Sequence, residues 1–214
     1  MKIINISQLK LPEIKIIKFA RFSDQRGYFA ETFRESDFAN NYPELDDLRK
    51  TSFKQINESS SKKGTIRGLH FQWNPPMGKL VRTIMGRMVD IVLDIRKNSP
   101  TFGKIIAYEM PYIQEDNFGE WIWVPAGFAH GNFYLEDSRI EYFCTSEYNK
   151  DGEVSISPFS PDLDWSECDS RLKQLYDSLL KSEVIITEKD KNGFTLSQWQ
   201  DDERSDSFIY DRSK

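Results

Sequence analysis

The feature that most constrains the fold is a long succession of short β-type runs. From about residue 13 to about residue 165, runs rich in Val, Ile, Phe, Tyr and Trp alternate with turn sequences such as "NSPTFG", "EDNFG" and "LEDS". In "VDIVLDIR" (89–96), Ile91, Leu93 and Ile95 occupy every second position, the period typical of a strand. "KIIAYEM", "WIWVP" and "IEYFCTSEY" are further strand candidates. Many short strands at this spacing predict a β-sandwich or barrel rather than a sheet of βαβ units.

The C-terminal part has a different pattern. In "DSRLKQLYDSLLK" (169–181), four leucines and Tyr176 recur at helical spacing, which predicts one amphipathic helix packed against the sheet. An extended run with a Gly-containing turn follows in "SEVIITEKDKNG", and the final "DDERSDSFIYDRSK" is polar enough to be held loosely. We therefore expect one domain of residues 1–214, with a β-core at about 13–165 and a helical extension at about 166–214.

Composition argues against several classes of function. The 214 residues include 29 basic and 34 acidic side chains, a net charge of -5, which argues against non-specific nucleic-acid binding. No apolar run approaches the roughly 20 residues that cross a bilayer, and the first residues lack the apolar region of a signal peptide. Cys144 and Cys168 form neither a metal-ligand pair nor a disulfide framework, so we expect a reduced, cytoplasmic environment.

The two histidines of the chain lie in unusual sequence neighbourhoods. His70 is part of "TIRGLHFQW", and His130 closes "WVPAGFAH", whose Pro and Gly spacing matches part of a cupin motif that aims a histidine into a barrel. A lone histidine on an apolar strand is more often a core residue held by a hydrogen bond, but an imidazole also suits proton transfer at neutral pH. Metal-binding cupins need more ligands than this chain offers there, so we expect no catalytic metal.

Two features near His70 favour chemistry at that position. Cations cluster around it in the sequence, and one of them, Lys79, opens the strand candidate "KLVRTIM" instead of lying in a polar loop. Simple alternation puts Arg67 and His70 on opposite faces of a strand. Gly68 between them would permit a β-bulge that brings both side chains to one face. A regular strand would instead leave Arg67 in solvent.

Six stretches together resemble one enzyme family. In chain order they are "FSDQRGYFAETF", "QINESSSKKGTIRGLHFQ", "GKLVR", "VDIVLDIRKNSPTFGK", "WVPAGFAHG" and "TEKD", and they look like the dTDP-4-dehydrorhamnose 3,5-epimerase family. The resemblance implies an all-β, cupin-like jelly roll, a homodimer, and neither metal nor cofactor. It also implies a substrate in which a nucleoside diphosphate is joined to a 4-keto-6-deoxy sugar. A base would remove a proton beside the C4 ketone, and an acid would return one on the opposite face.

The resemblance also implies roles for individual residues. His70 would be the base, Asp190 the carboxylate that orients it, and Lys79 the cation that stabilises the enolate oxygen. Tyr142 matches the catalytic acid and Tyr148 a second tyrosine, and an unbroken strand from residue 140 would put both on one face. The substrate-binding positions implied are Gln55, Asn57, Arg67, His130, Tyr148 and Lys189, with Arg26 and Glu31 contributed from the partner subunit.

The sequence departs from the family pattern at three places. "EVSISPFSPDLDW" replaces a more usual I-x-WNDP, the helix at 169–181 enlarges the segment before Asp190, and Asn132 stands where an aromatic residue is common. These places surround the expected substrate pockets, so the nucleotide, the sugar and the choice of C3, C5 or both stay open.

Three functions are compatible with these residues. The first is an epimerase acting in the synthesis of surface-polysaccharide precursors such as O-antigen. The alternatives are a ketoisomerase using the same enolate chemistry and a non-catalytic cupin that binds a nucleotide sugar. The combination of a base, an acid and an oxyanion-stabilising cation favours an enzyme, since a binding module needs no such set.

Overall fold

The computed structural model describes residues 1–39 and 42–211, and most of its regular structure is β-strand. The strands are β1 (Ile3–Gln8), β2 (Lys15–Ala20), β3 (Phe22–Asp24), β4 (Gly27–Phe29), β5 (Gln55–Ser61), β6 (Ile66–Gln72), β7 (Lys79–Met85), β8 (Arg87–Asp94), β9 (Ile105–Pro111), β10 (Phe118–Val124), β11 (Phe128–Tyr134), β12 (Ser138–Cys144) and β13 (Glu153–Ser155). The α-helices are α1 (Glu35–Ala39), α2 (Asp46–Arg49), α3 (Ser170–Leu180), α4 (Glu188–Lys191) and α5 (Leu196–Asp201). Short 3₁₀ turns cover Pro43–Leu45, Lys150–Gly152 and Glu203–Phe208.

Eleven of the described strands form two antiparallel sheets that pack face to face, and β3 and β4 pair in a separate hairpin. One has six strands in the order β1-β2-β10-β7-β12-β5, and the other has five in the order β13-β6-β11-β8-β9. Apolar side chains from both sheets meet between them, including Val81 and Ile122 from the first and Val92 and Phe128 from the second. The predicted all-β sandwich of the cupin-like jelly-roll type is therefore confirmed.

The outer face of each sheet is covered by a different part of the chain. Phe38 and Leu48, from the segment between β4 and β5, pack on the six-stranded sheet. Tyr176, Trp199 and Phe208 from the C-terminal region pack on the five-stranded sheet. Strand β8 is consequently buried on both faces. The C-terminal region thus forms an apolar layer against the sheet that carries both histidines.

The structure confirms the predicted C-terminal helix. Helix α3 begins one residue after Asp169, whose side chain accepts the Leu172 N–H at 3.0 Å and caps the helix. Within the extended run predicted after it, the structure has the short helix α4. No helix among the described residues is both long and apolar enough to cross a membrane.

Strand β1 begins at Ile3, and the expected bounds of the domain and its β-core stay a prediction. Two other predictions are wrong. Strand β12 ends at Cys144, so no unbroken strand carries Tyr148. The polar C-terminus is not loosely held as far as residue 211: Phe208 is 7% exposed, and backbone hydrogen bonds link Lys97 to Phe208 and Tyr210. The apolar side chains within that polar stretch explain the error, and residues 212–214 lie outside the described part.

Candidate active site

A cavity of about 230 Å³ lies between the two sheets. The five-stranded sheet contributes Arg67, His70, His130, Gly131 and Asn132, and the six-stranded sheet contributes Ser59, Lys79, Ile140 and Tyr142. His70 and His130 are direct partners in the register of β6 and β11. On the opposite sheet, Lys79 pairs with Cys144, two residues from Tyr142. The cavity therefore has an imidazole face and, across from it, a face that carries an ammonium and a phenol.

His70 is held by a carboxylate from the C-terminal region. Its Nε2 lies 2.8 Å from Asp190 Oδ1, and Asp190 Oδ2 accepts the Gly68 N–H at 3.2 Å. Asp190 is 4% exposed, on a helix whose first turn is capped by Thr187. Burial raises the pKa of Asp190, but the hydrogen bond and charge of His70 and the bond from Gly68 outweigh it, so the pKa lies below its usual value. This geometry leaves Nδ1 of His70 as the nitrogen available to a ligand.

The predicted bulge at Gly68 is present. Arg67 pairs with Asn132, and His70 with His130, so three steps along β6 match two along β11. Gly68 has φ +105°, and a Cβ there would come within 2.7 Å of the His130 carbonyl oxygen. Because of this extra residue Arg67 and His70 line one cavity. Arg67 is oriented by Ser61, whose Oγ accepts its Nε–H at 2.8 Å.

His130 has its own carboxylate partner, which the sequence analysis missed. Its Nε2 lies 2.8 Å from Oδ2 of Asp90, a fully buried residue on the neighbouring strand β8. Burial raises the pKa of Asp90, while the charges of His130 and Lys79 oppose the shift. The sequence signal was present, since Asp90 interrupts an apolar strand, but alternation alone made it look solvent-facing. Within the described ranges, no three His, Cys, Asp or Glu side chains are placed to share a metal ion.

The two reactive groups of the six-stranded sheet are half-buried, and desolvation is the main influence on the pKa of each. Desolvation lowers the pKa of Lys79, opposed by the nearby Cys144, Glu153 and Asp90. Burial likewise raises the pKa of the Tyr142 phenol. No carboxylate of the described residues lies within ion-pair distance of the Lys79 ammonium. Both groups are thus shifted toward their neutral forms, the direction expected when charge is removed from water.

A smaller cavity of about 100 Å³ adjoins the first and shares Lys79 and Tyr142 with it. Its other lining residues are Gln55, Asn57, Phe71, Gln72, Met77, Cys144, Tyr148 and Glu153. Gln55 donates to Asn57 Oδ1 at 2.9 Å and accepts the Tyr148 N–H at 2.9 Å. The two predicted binding residues and the second tyrosine therefore lie together, although Tyr148 itself is 52% exposed.

Glu153 is a second site residue that the sequence analysis missed. It accepts the Tyr148 hydroxyl at 3.2 Å and pairs with Lys189 on α4, which brings that predicted residue to the cavity rim. Burial raises the pKa of Glu153, but Lys189, His70 and Lys79 outweigh it and leave the pKa lowered. Glu153 reaches the site because β13 pairs with β6, and this pairing joins segments that are far apart in the sequence.

Arg26 and Glu31 lie outside both cavities of their own chain. Arg26 is on the exposed β3–β4 hairpin and pairs with Asp24 at 2.7 Å. Glu31 lies 3.2 Å from the Met1 amino group and pairs with Arg34. Their contribution to the partner subunit's site stays a prediction.

Comparison with known proteins identifies the family. The model of the dTDP-4-dehydrorhamnose 3,5-epimerase family matches residues 8–198. The chain belongs to this family. The dTDP-4-dehydrorhamnose 3,5-epimerase of Methanothermobacter thermautotrophicus is 39% identical over 180 residues, which cover 83% of this chain and 86% of the relative. That of Escherichia coli (strain K12) is 33% identical over 198 residues, covering 91% and 95%.

A solved structure extends the likeness over nearly the whole chain. It is dTDP-6-deoxy-D-glucose-3,5-epimerase from Legionella pneumophila Philadelphia 1, in complex with dTDP-4-keto-L-rhamnose. It matches this chain with a TM-score of 0.76 and 30% identity, and the match covers 97% of this chain and 98% of that one. The family and the cupin-like fold implied by the sequence resemblance are both confirmed.

Proposed function

We propose that this chain inverts C3, C5 or both in a nucleoside-diphosphate 4-keto-6-deoxy-hexose, with dTDP as the nucleotide. The observation that carries the proposal is the His70–Asp190 pair facing Lys79 and Tyr142 across one cavity. An epimerase needs a base and an acid on opposite sides of the sugar, and two facing sheets supply that arrangement. The epimerases to which the chain is similar carry this activity in their names.

Proton removal is assigned to His70. The C4 ketone acidifies the hydrogens on C3 and C5, and the ketone accepts the electron pair, so the reaction needs neither metal nor redox cofactor. Asp190 binds Nε2 of His70 and leaves Nδ1 to take the proton. The carboxylate also stabilises the imidazolium that forms, the role of the third group in a catalytic triad.

Lys79 and Tyr142 complete the reaction from the other sheet. An ammonium in a water-poor cavity stabilises a developing enolate oxygen more strongly than one in water. Tyr142 then returns a proton to the face of the sugar opposite His70, which inverts the carbon. Tyr148 is the alternative acid, because its phenol lies on the adjoining cavity.

We further propose a cytoplasmic homodimer that serves surface-polysaccharide precursor synthesis, O-antigen included. The exposed hairpin of Arg26 and the nearby Glu31 would reach the neighbouring subunit's site. The substrate's remaining contacts would be Gln55, Asn57, Arg67, His130, Tyr148 and Lys189. These residues surround the two joined cavities or bind a residue that does.

Proton NMR in deuterated water tests the proposal. With dTDP-4-keto-6-deoxyglucose we expect deuterium to enter at C3, C5 or both, and the labelled carbons identify the specificity. A ketoisomerase would also give exchange but would move the ketone to a neighbouring carbon, which carbon NMR detects, and a binding module would give no exchange. Absence of exchange with the dTDP, CDP and GDP sugars alike, from folded protein, would overturn the proposal. Treatment with a chelator should leave the exchange rate unchanged.

A further inference from the structure

A buried carboxamide in the active-site cavity has a donor without a protein partner. Asn132 on β11 is 4% exposed and lines the same cavity as His70. Its Oδ1 accepts the Tyr134 hydroxyl at 2.8 Å. None of the hydrogen bonds formed among residues 1–39 and 42–211 uses its Nδ2. Nδ2 is not one of the fully buried polar atoms that lack a partner in the described part of the chain, so it is open to the cavity, and we expect the ligand to supply its acceptor.

Two further hydrogen-bond donors lie beside Asn132 at this end of the cavity. Ser59 Oγ, on the opposite sheet, is buried and has no hydrogen-bond partner in the described part of the chain. Arg67 pairs with Asn132 in the β6–β11 register and also lines the cavity. An amide, a hydroxyl and a guanidinium can all donate hydrogen bonds. This end of the cavity therefore complements oxygen atoms.

The strand register separates Asn132 from the reacting groups. Asn132 is two residues along β11 from His130, which pairs with His70. Two residues of strand span about 6.6 Å, so Asn132 faces a part of the substrate beyond the carbon that His70 deprotonates. In a 4-keto-6-deoxy-hexose, C4 is the ketone, C6 is a methyl group, and C3 and C5 react. The remaining hydroxyl on a non-reacting ring carbon is the one at C2.

Charge disfavours the diphosphate as the group beside Asn132. Asp90 pairs with Asn132 across β8 and β11, and it is fully buried. One carboxylate oxygen binds His130, and the other has no partner among the described residues. A phosphate at this level would be attracted by Arg67 but repelled by that carboxylate, and in a region of low dielectric the repulsion is strong. A neutral hydroxyl would not.

We propose that Asn132 is a specificity-determining residue whose Nδ2 donates a hydrogen bond to the C2 hydroxyl of the sugar. The chain therefore selects 2-hydroxy over 2-deoxy substrates. The inference rests on the proposed function, because the reaction beside C4 is what locates C2. A site built to bond a substrate hydroxyl disfavours the analogue that lacks it, since the protein donor is then left unpaired.

Exchange kinetics in deuterated water test this selection. We would measure kcat/KM with dTDP-4-keto-6-deoxyglucose and its 2-deoxy analogue for the wild type, Asn132→Leu and Tyr134→Phe. The wild type is expected to prefer the 2-hydroxy sugar by about 10- to 100-fold. Asn132→Leu should reduce the preference to about threefold or less, by losing activity on the 2-hydroxy sugar alone. Tyr134→Phe removes the same Asn132–Tyr134 hydrogen bond but keeps the amide, so it should retain the preference.

The outcomes separate this inference from the proposed function. A wild type that exchanges neither sugar overturns the function, and the inference with it. A wild type that exchanges both sugars equally overturns the inference alone, whether or not the variants fold. An equal loss on both sugars in Asn132→Leu would mean that the amide contacts a group common to both, such as the diphosphate, and this also overturns it.

Discussion

The two faces of the cavity hold their reactive side chains in different ways. On the five-stranded sheet each histidine ring is bound to a carboxylate, His70 to Asp190 and His130 to Asp90, both at 2.8 Å. On the six-stranded sheet, Lys79 has no carboxylate partner within the described ranges, and burial shifts the pKa of Lys79 down and that of Tyr142 up. One face is thus organised by hydrogen-bonded pairs, and the other by removal from water.

This difference predicts opposite effects of mutation on stability. Removing one member of a hydrogen-bonded pair leaves a buried partner unsatisfied, which destabilises the fold. Removing a desolvated, unpaired cation relieves a cost of folding, so stability rises while activity falls. Variants of the histidine face should therefore lose both stability and activity. Variants of Lys79 should lose activity while the free energy of unfolding rises.

The largest loss of activity is expected for His70→Ala. Without the base, the rate of deuterium exchange should fall by about 10²- to 10⁴-fold. The free energy of unfolding should fall by about 1–3 kcal/mol, because buried Asp190 loses its main partner. Exchange NMR and urea unfolding measure the two effects. Undiminished exchange would show that another group is the base.

Lys79→Met is expected to lower kcat by about 10²- to 10³-fold, the effect of removing one donor to a developing oxyanion. Its free energy of unfolding should rise by about 1 kcal/mol at neutral pH. Because the folded-state pKa of Lys79 lies below its usual value of 10.5, wild-type stability should increase as pH rises through that pKa toward 10.5. The difference in unfolding free energy between Lys79→Met and the wild type should accordingly become smaller at high pH. A variant that is less stable than wild type at pH 7 would contradict the comparison.

Asp190→Asn is expected to lower exchange by up to about 10²-fold, because the His70 ring loses its fixed orientation. The variant should also be less stable at neutral pH. The folded-state pKa of Asp190 lies below its usual 3.8, so its stabilisation is present above pH 3.8 and is lost as pH falls through the folded value. Urea unfolding at pH 7 and pH 3 should therefore show the gap to wild type shrinking on acidification. A difference in unfolding free energy that stays the same at pH 7 and pH 3 would mean that the ionised carboxylate of Asp190 does not stabilise the fold.

The smallest effect is expected for Glu153→Gln, which removes the ion pair between Lys189 and Glu153 on β13. The rate should fall about two- to fivefold, as for a partly exposed ion pair. Lys189→Met removes the same ion pair from the other side, so it should lower the rate by a similar factor, and exchange NMR measures both variants. A rate in Glu153→Gln equal to that of the wild type would contradict a role for this ion pair.

Much of the fold could be predicted because the strands carry an apolar period of two and α3 an apolar stripe. The bulge was predictable as well, since Gly68 separates two residues that the family resemblance puts in one site. The missed residues depend on pairings between distant segments. Asp90 matters because β8 lies beside β11, and Glu153 because β13 lies beside β6. The role of each site residue is still a prediction.

The central claim is that the two faces perform opposite halves of one reaction, and Tyr142→Phe tests it most directly. Deuterium incorporation and configuration at C3 and C5 would be followed by NMR in the same sample. With His70 intact and the opposite acid removed, we predict that exchange continues with retained configuration, while inversion falls by about 10²-fold or more. Inversion at the wild-type rate would contradict the assignment of the acid to Tyr142. It would also contradict the claim that one sheet removes the proton and the other sheet returns it.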